Sequence, residues 1–303
     1  NLALKSQNLT VTEVPDTNPP TITAVAIDLG SGVITFDASE TLDFTPQLNQ
    51  NGEDQNNLIG NGTDVNKIFI SDHSGLSSGS FNISLKTAFI TTYTDVLQFF
   101  VVLPEESRAQ AIRISGQPGG DGVAAFVDIL TNTIMDIGQN PNVVNQSLQL
   151  TESPDEIKPI GLNALLNYGT GILKIRFSET IKAVDLTKIR VVNQANDVLY
   201  PMTAGEVQSV DSTYPVLKLS ETDRLATLAI SATPGGDGFM DWTIECDSSG
   251  INKVAGTGVT VSQANGYETW TISLGSSVTA VESIGATVTQ TSQSGTGTLI
   301  EAL

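Results

Sequence analysis

The sequence predicts an all-β protein built as two tandem antiparallel β-sandwiches, with strand-like extensions at both ends. Three observations carry this. Apolar residues alternate with polar ones at period two in short runs; Gly, Pro, Asn, Asp and Ser punctuate those runs; and blocks of sequence recur in the same order along the chain.

Ile34, Phe36 and Ala38 alternate with Thr35 and Asp37, which places one face in a core and one in water. Ile68–Ile70, Leu97–Leu103 and Ile112–Ile114 follow. Leu173, Ile175 and Phe177 alternate with Lys174 and Arg176, and Leu217–Leu219 and Leu228–Ile230 complete the set. Their flanking residues provide turn geometry or compete for backbone hydrogen bonds. The best helical candidate is short, Glu105–Ala111 after Pro104. Many short strands without helix-linked crossovers indicate antiparallel sandwiches.

The repeat defines the domain plan. Gly30-Ser31-Gly32-Val33-Ile34 and Gly169-Thr170-Gly171-Ile172-Leu173 match at an offset of 139, as do Ser39-Glu40-Thr41-Leu42 with Ser178-Glu179-Thr180-Ile181, and Pro20 with Pro159. Lys67-Ile68 matches Lys188-Ile189 at 121, so the first copy carries an insertion, assigned to the polar loop Thr45–Gly62. Arg108 then matches Arg224, and Pro118-Gly119-Gly120-Asp121-Gly122 matches Pro234-Gly235-Gly236-Asp237-Gly238, at 116. The expected organisation is an extension at 1–15, domains at 16–153 and 154–274, and a β-rich extension at 275–303.

The Pro-rich start (Asn18-Pro19-Pro20), the Gly turns, Phe177-Ser178-Glu179-Thr180-Ile181 and the paired Leu103–Arg108 and Leu219–Arg224 segments resemble tandem Ig-like repeats of large secreted surface, adhesin and extracellular appendage proteins. The resemblance implies two Ig-like antiparallel β-sandwich domains in an extracellular or cell-surface setting. It implies no particular ligand.

The ends carry the most unusual signal. Carried backwards, the 139 offset places Leu9, Val11, Thr12, Glu13, Pro15 and Asp16 on Leu148, Leu150, Thr151, Glu152, Pro154 and Asp155. Residues 148–152 should close the first domain, so the N-terminal segment reads as a closing strand. The expectation is that Gln7, Asn8, Leu9, Thr10, Val11, Thr12, Glu13 and Val14 form an assembly strand donated to a neighbouring copy, giving a head-to-tail homopolymer. A self-paired first strand and the end of a preceding domain are the alternatives. The chain starts at Asn1 without Met or a signal-like segment, as expected of a processed product or a piece of something longer.

Composition narrows the remaining classes. The 14 Lys and Arg against 33 Asp and Glu leave a net charge of −19, too little positive charge for a nucleic-acid or anionic-membrane face. Set on sandwiches, that charge reads as a solvating coat that opposes random edge pairing. The longest apolar stretch, Val96–Leu103, is interrupted by Gln98 and too short for membrane insertion. One His and one Cys argue against a zinc, haem or iron–sulfur site, which draw on several such ligands, and rule out an intrachain disulfide. Cys246 aligns with Leu130 at the 116 offset, which suggests a buried apolar role.

Candidate chemistry is sparse. Gly75-Leu76-Ser77-Ser78-Gly79 fits a nucleophile elbow, with Asp72 and His73 beside it, but that motif needs a helix after the Ser and a His later in the chain. Glu40 and Glu179 occupy equivalent positions of separate domains, not two sides of one scissile bond. No enzyme is expected. Asp16, Asp121, Asp155 and Asp237 are the candidate calcium ligands, since calcium takes six to eight oxygens; their turn-capping role is the plainer reading, and no cofactor is otherwise expected. Glycosylation sequons begin at Asn8, Asn61, Asn82 and Asn145, about the number chance provides, so covalent glycans are an expectation of the setting. The functional expectation is an extracellular structural subunit of a filament, pilus-like fibre or surface assembly, with copies of itself as partner. The alternative is an adhesin module that binds glycan or a surface through the loops Thr45–Gly62 and Asp72–Gly79.

Overall fold

The computed structural model describes residues 11–44, 63–75, 81–193, 198–236, 242–247, 251–253, 269–273, 288–292 and 295–299. Among them the chain is mostly β, in mainly antiparallel sheets, with two short α-helices. Two compact units are present: Asn1–Lys158 with Asn252–Thr257, and Pro159–Ile251 with Gly258–Leu303. Gln7–Thr10, Asn61, Asp237, the loop Thr45–Gly62 and Leu76–Gly79 lie outside the described residues.

The first unit contains β1 (Ile22–Asp28), β2 (Val33–Leu42), β3 (Ile68–Ser71), β4 (Asn82–Ser84), β5 (Phe89–Ile90), β6 (Val96–Val102), α1 (Glu105–Arg113), β7 (Phe126–Ile129), β8 (Asn145–Gln149) and β9 (Thr151–Ser153). One sheet has the order β5-β6-β2-β1-β9, the other β4-β3-β7-β8. The period-two expectation holds in β2, where Ile34 and Phe36 are fully buried. Phe36 stacks on Phe99 with ring centroids 4.6 Å apart, and Phe44 tilts against Phe99 at 5.1 Å. Ile68, Ile70, Val127 and Ile129 join the same core from the second sheet. Each such side chain contributes roughly 1.5–3 kcal/mol of burial.

The second unit contains β10 (Gly161–Asn167), β11 (Ile172–Phe177), β12 (Ile181–Val184), β13 (Ile189–Asn193), β14 (Val198–Pro201), β15 (Gly205–Ser209), β16 (Val216–Leu219), α2 (Glu221–Ala229), β17 (Trp242–Asp247), the first residue of β18 (Ile251–Lys253), β19 (Thr269–Ser273), β20 (Val288–Ser292) and β21 (Gly295–Leu299). Its four-stranded sheets run β15-β16-β11-β10 and β14-β13-β17-β19. Leu173, Ile175, Phe177, Ile189, Val191, Leu217 and Leu219 form its core. β20 and β21 pair as a separate antiparallel ribbon.

The two units repeat each other in detail. A register shift between Ile22 and Ala24 in β1 recurs between Gly161 and Asn163 in β10. Gly32 closes the first hairpin at φ 72° and Gly171 the second at φ 68°, the left-handed conformation in which a Cβ is strained. A Cβ on Gly120 would lie 2.0 Å from the Ser115 carbonyl oxygen; on Gly236 it would lie 1.9 Å from that of Ser231. The repeated Pro-Gly-Gly-Asp-Gly turn therefore owes its middle glycine to backbone packed at a helix exit.

Three expectations need correction. Ile112–Ile114 and Leu228–Ile230 are not strands: Ile112 and Arg113 end α1, and Leu228 and Ala229 end α2. Runs this short fit either period, and burial of Ala109 with Ile112, three apart, selects the helix for the first of them. Not every pairing is antiparallel, because β9 runs parallel to β1. Finally, Cys246 does not take the place of Leu130. Ile189 pairs with Cys246 as Ile68 pairs with Ile129, so the copies are offset by one further residue after the Gly-rich turn.

Candidate assembly site

Leu148–Asp155 closes the first unit by changing sheets. Leu148 pairs with Val127 on β7, and the Leu150 N–H donates to the Ala125 carbonyl. The chain then crosses to the other sheet, where Thr151, Glu152 and Ser153 pair with Ala26, Ile27 and Asp28 of β1. Leu150 is buried and Leu148 half-buried, so the segment inserts alternate apolar side chains between the sheets.

Two carboxylates lock this segment. Glu152 accepts hydrogen bonds from the Gly116 N–H at 2.8 Å and the Ala125 N–H at 2.9 Å, tying the turn after α1 to the strand. Asp155 accepts from Arg108 Nη1 at 2.9 Å and from the Ile157 N–H at 3.0 Å. Arg108 Nη1 also donates to the Leu29 carbonyl at 2.8 Å, while its Nε donates to Glu105 at 2.7 Å. The Arg108 and Asp155 side chains are 6% and 1% exposed. A guanidinium fork with this many acceptors compensates the burial of both charges.

The matching N-terminal residues lie elsewhere. Residues 11–19 are exposed and belong to no strand, and Val11 and Val14 are 76% and 86% exposed. Asp16 lies beside Glu40 and Asp136, with one carboxylate oxygen from each within 4.8 Å of the others. A Cβ on Gly138 would come within 3.1 Å of the Asp16 Cβ, so the glycine permits this approach. Asp136 is buried and held by the Asn140 N–H at 2.7 Å and Asn140 Nδ2 at 2.9 Å. No Lys or Arg among the described residues bridges to the three acids. Partial burial, then the charges of Asp136 and Asp16, push the Glu40 carboxyl above its usual range.

Of the four candidate calcium ligands, only Asp16 is found in such a cluster among the described residues. Asp121 accepts from the Val123 N–H at 2.8 Å and so caps its own turn, and Asp155 is bound to Arg108. Calcium needs six to eight oxygens, and one from each of Asp16, Glu40 and Asp136 leaves the remainder to water. Nothing local in the sequence links Glu40 and Asp136, 96 positions apart, as ligands.

His73 Nδ1 lies 2.7 Å from Asp72 Oδ1, and this contact raises the imidazole pKa, but the exposed His73 precedes the Gly-rich loop and meets no described nucleophile. Asn82 is exposed on β4. Asn145 Nδ2, the atom that would carry a glycan, donates to the Ile22 carbonyl at 2.8 Å. Among the described residues no helix is long and apolar enough to cross a membrane. Comparison with known proteins adds no family: neither a protein-family model nor a curated protein sequence matches the chain.

Proposed function

We propose that the chain is an extracellular structural subunit of a filament, pilus-like fibre or surface assembly. It consists of two Ig-like sandwiches, joined head-to-tail to its copies by donation of the Gln7–Val14 strand. The Ig-like reading is supported by strand order. β5-β6-β2-β1 with β4-β3-β7-β8, and β15-β16-β11-β10 with β14-β13-β17-β19, follow the D-E-B-A and C′-C-F-G arrangement of that fold.

One observation carries the functional reading. The segment that closes the first unit has a second copy at residues 9–16, and there Val11 and Val14 stand in solvent. An apolar, strand-patterned segment gains burial and backbone pairing by adding to a sheet edge of another molecule. A repeated contact between different surfaces extends into a fibre when it does not close into a ring.

Removal of residues 1–14 tests this. The full chain should form concentration-dependent linear assemblies in negative-stain images, and the shortened chain should remain folded and monomeric. Long fibres from the shortened chain would sink the donation reading.

A further inference from the structure

Strand donation requires an acceptor, and the second unit has the features of one. We propose that Thr12–Val14 of one copy pairs in parallel with the edge of β10 in another copy, with Asp16 on the Arg224 guanidinium and Glu13 on the Ala232 N–H. This inference rests on the strand-donation reading and specifies its partner site.

The first unit is the template. There β9 lies parallel to β1, Glu152 holds the Gly116 N–H, and Asp155 holds Arg108. The second unit repeats the receiving half. Arg224 Nε donates to Glu221 as Arg108 Nε does to Glu105, and Arg224 Nη1 donates to the Tyr168 carbonyl as Arg108 Nη1 does to that of Leu29. The stems match too: a Cβ on Gly171 would lie 3.3 Å from Arg224 Cδ, and one on Gly32 would lie 3.2 Å from Arg108 Cδ.

What differs is the closing half. Among the described residues Arg224 meets one carboxylate, Glu221, and its side chain is 25% exposed against 6% for Arg108. Among the described residues β10 is a terminal strand of its sheet, whereas β1 is covered by β9. The Ala232 N–H has no partner among the described residues.

The chain's own continuation lacks the two acids. Ile272 pairs with Ile244 as Leu148 pairs with Val127, and counting on in sequence puts Ser276 and Thr279 where the first copy has Glu152 and Asp155. The acids stand instead at Glu13 and Asp16. Their placement fixes the direction of the contact. Asp155 latches the domain that ends just before it, so Asp16 is suited to a domain upstream of the first unit, which in a row of copies is the neighbour's second unit.

Charge fits from both sides. Asp16 is crowded by Glu40 and Asp136 with no cation bridging to them among the described residues, and a guanidinium there lowers the mutual repulsion. The edge pairing adds main-chain hydrogen bonds, while the two carboxylates select the register.

The test uses the full chain carrying Asp16→Arg or Arg224→Asp, with assembly followed by sedimentation velocity and negative stain. Each variant alone juxtaposes like charges and should associate at least about tenfold more weakly than the parent. Mixed in equal amounts, every contact between unlike copies is complementary, so fibres should return with the two variants alternating. Arg224→Gln, which leaves α2 without a reversed charge, should also weaken assembly. Recovery on mixing is itself proof that both variants are folded. Parent-like assembly by either charge reversal alone overturns the Asp16–Arg224 contact. So does failure of the mixture when circular dichroism shows both variants folded. In either case the truncation at residue 14 still decides strand donation separately.

Discussion

Asp155→Ala should destabilise the first unit by about 3 kcal/mol, because it leaves a buried guanidinium short of a charged partner. Arg108 and Asp155 side chains are 6% and 1% exposed and meet at 2.9 Å. Breaking such a pair costs about 3–5 kcal/mol, and the lower end applies because Arg108 keeps Glu105 at 2.7 Å and the Leu29 carbonyl at 2.8 Å. The Ile157 N–H also loses its hydrogen bond to Asp155 Oδ1 at 3.0 Å. At about 2–4 °C per kcal/mol for a unit of this size, the melting temperature should fall by roughly 10 °C. Both tryptophans, Trp242 and Trp270, belong to the second unit, so their fluorescence reports that unit while calorimetry reports both. The calorimetric transition of the first unit should move and the tryptophan transition should not. A loss below about 1 kcal/mol would refute the reasoning, and would also remove the template for the intermolecular contact.

Two further outcomes follow from packing and charge. Gly120→Ala should destabilise the first unit by about 1–3 kcal/mol or more, since its Cβ would fall 2.0 Å from the Ser115 carbonyl oxygen; an unchanged urea midpoint would show that the turn yields freely. Glu40→Gln should stabilise the first unit at pH 7, by less than about 1 kcal/mol because solvent screens a half-exposed carboxylate. The sign follows from a folded-state pKa above the ordinary value of 4.5. The folded chain binds the Glu40 proton more tightly, so the parent recovers stability as pH falls through that raised pKa. The difference between the two proteins should vanish below the ordinary value. Urea midpoints at pH 7 and pH 4 measure it, and a variant less stable at pH 7 would mean that Glu40 is held by an attractive partner.

Local patterns made much of the fold readable. Alternation in Ile34–Ala38 and Leu173–Phe177 marks strands because successive side chains point to opposite faces, and Gly32 and Gly171 mark their turns because few other residues take a positive φ. The helix at Glu105–Ala111 is legible and α1 contains it, but its end is not. Ile112–Ile114 reads equally as a strand, and only packing of Ala109 and Ile112 against the core decides it. Likewise the register of β13 with β17, not the alignment of Gly-rich turns, places Cys246 opposite Ile189. The latch left one legible trace: in a chain with few cations, Arg108 recurs as Arg224, just as Asp16 recurs as Asp155.

The amino-acid sequence by itself determined the duplication, the strand character, the acidic surface and the likeness of residues 9–16 to a closing strand. All of these are local or periodic, so they survive without knowledge of what meets what. The tertiary structure alone decided that Asp155 meets Arg108 across 47 residues, that β9 crosses to lie parallel to β1, and that Asp16 lies beside Glu40 and Asp136. Those contacts depend on which strands become neighbours and in what register. A one-residue shift changes the face every side chain presents, so such pairing cannot be read from any one segment.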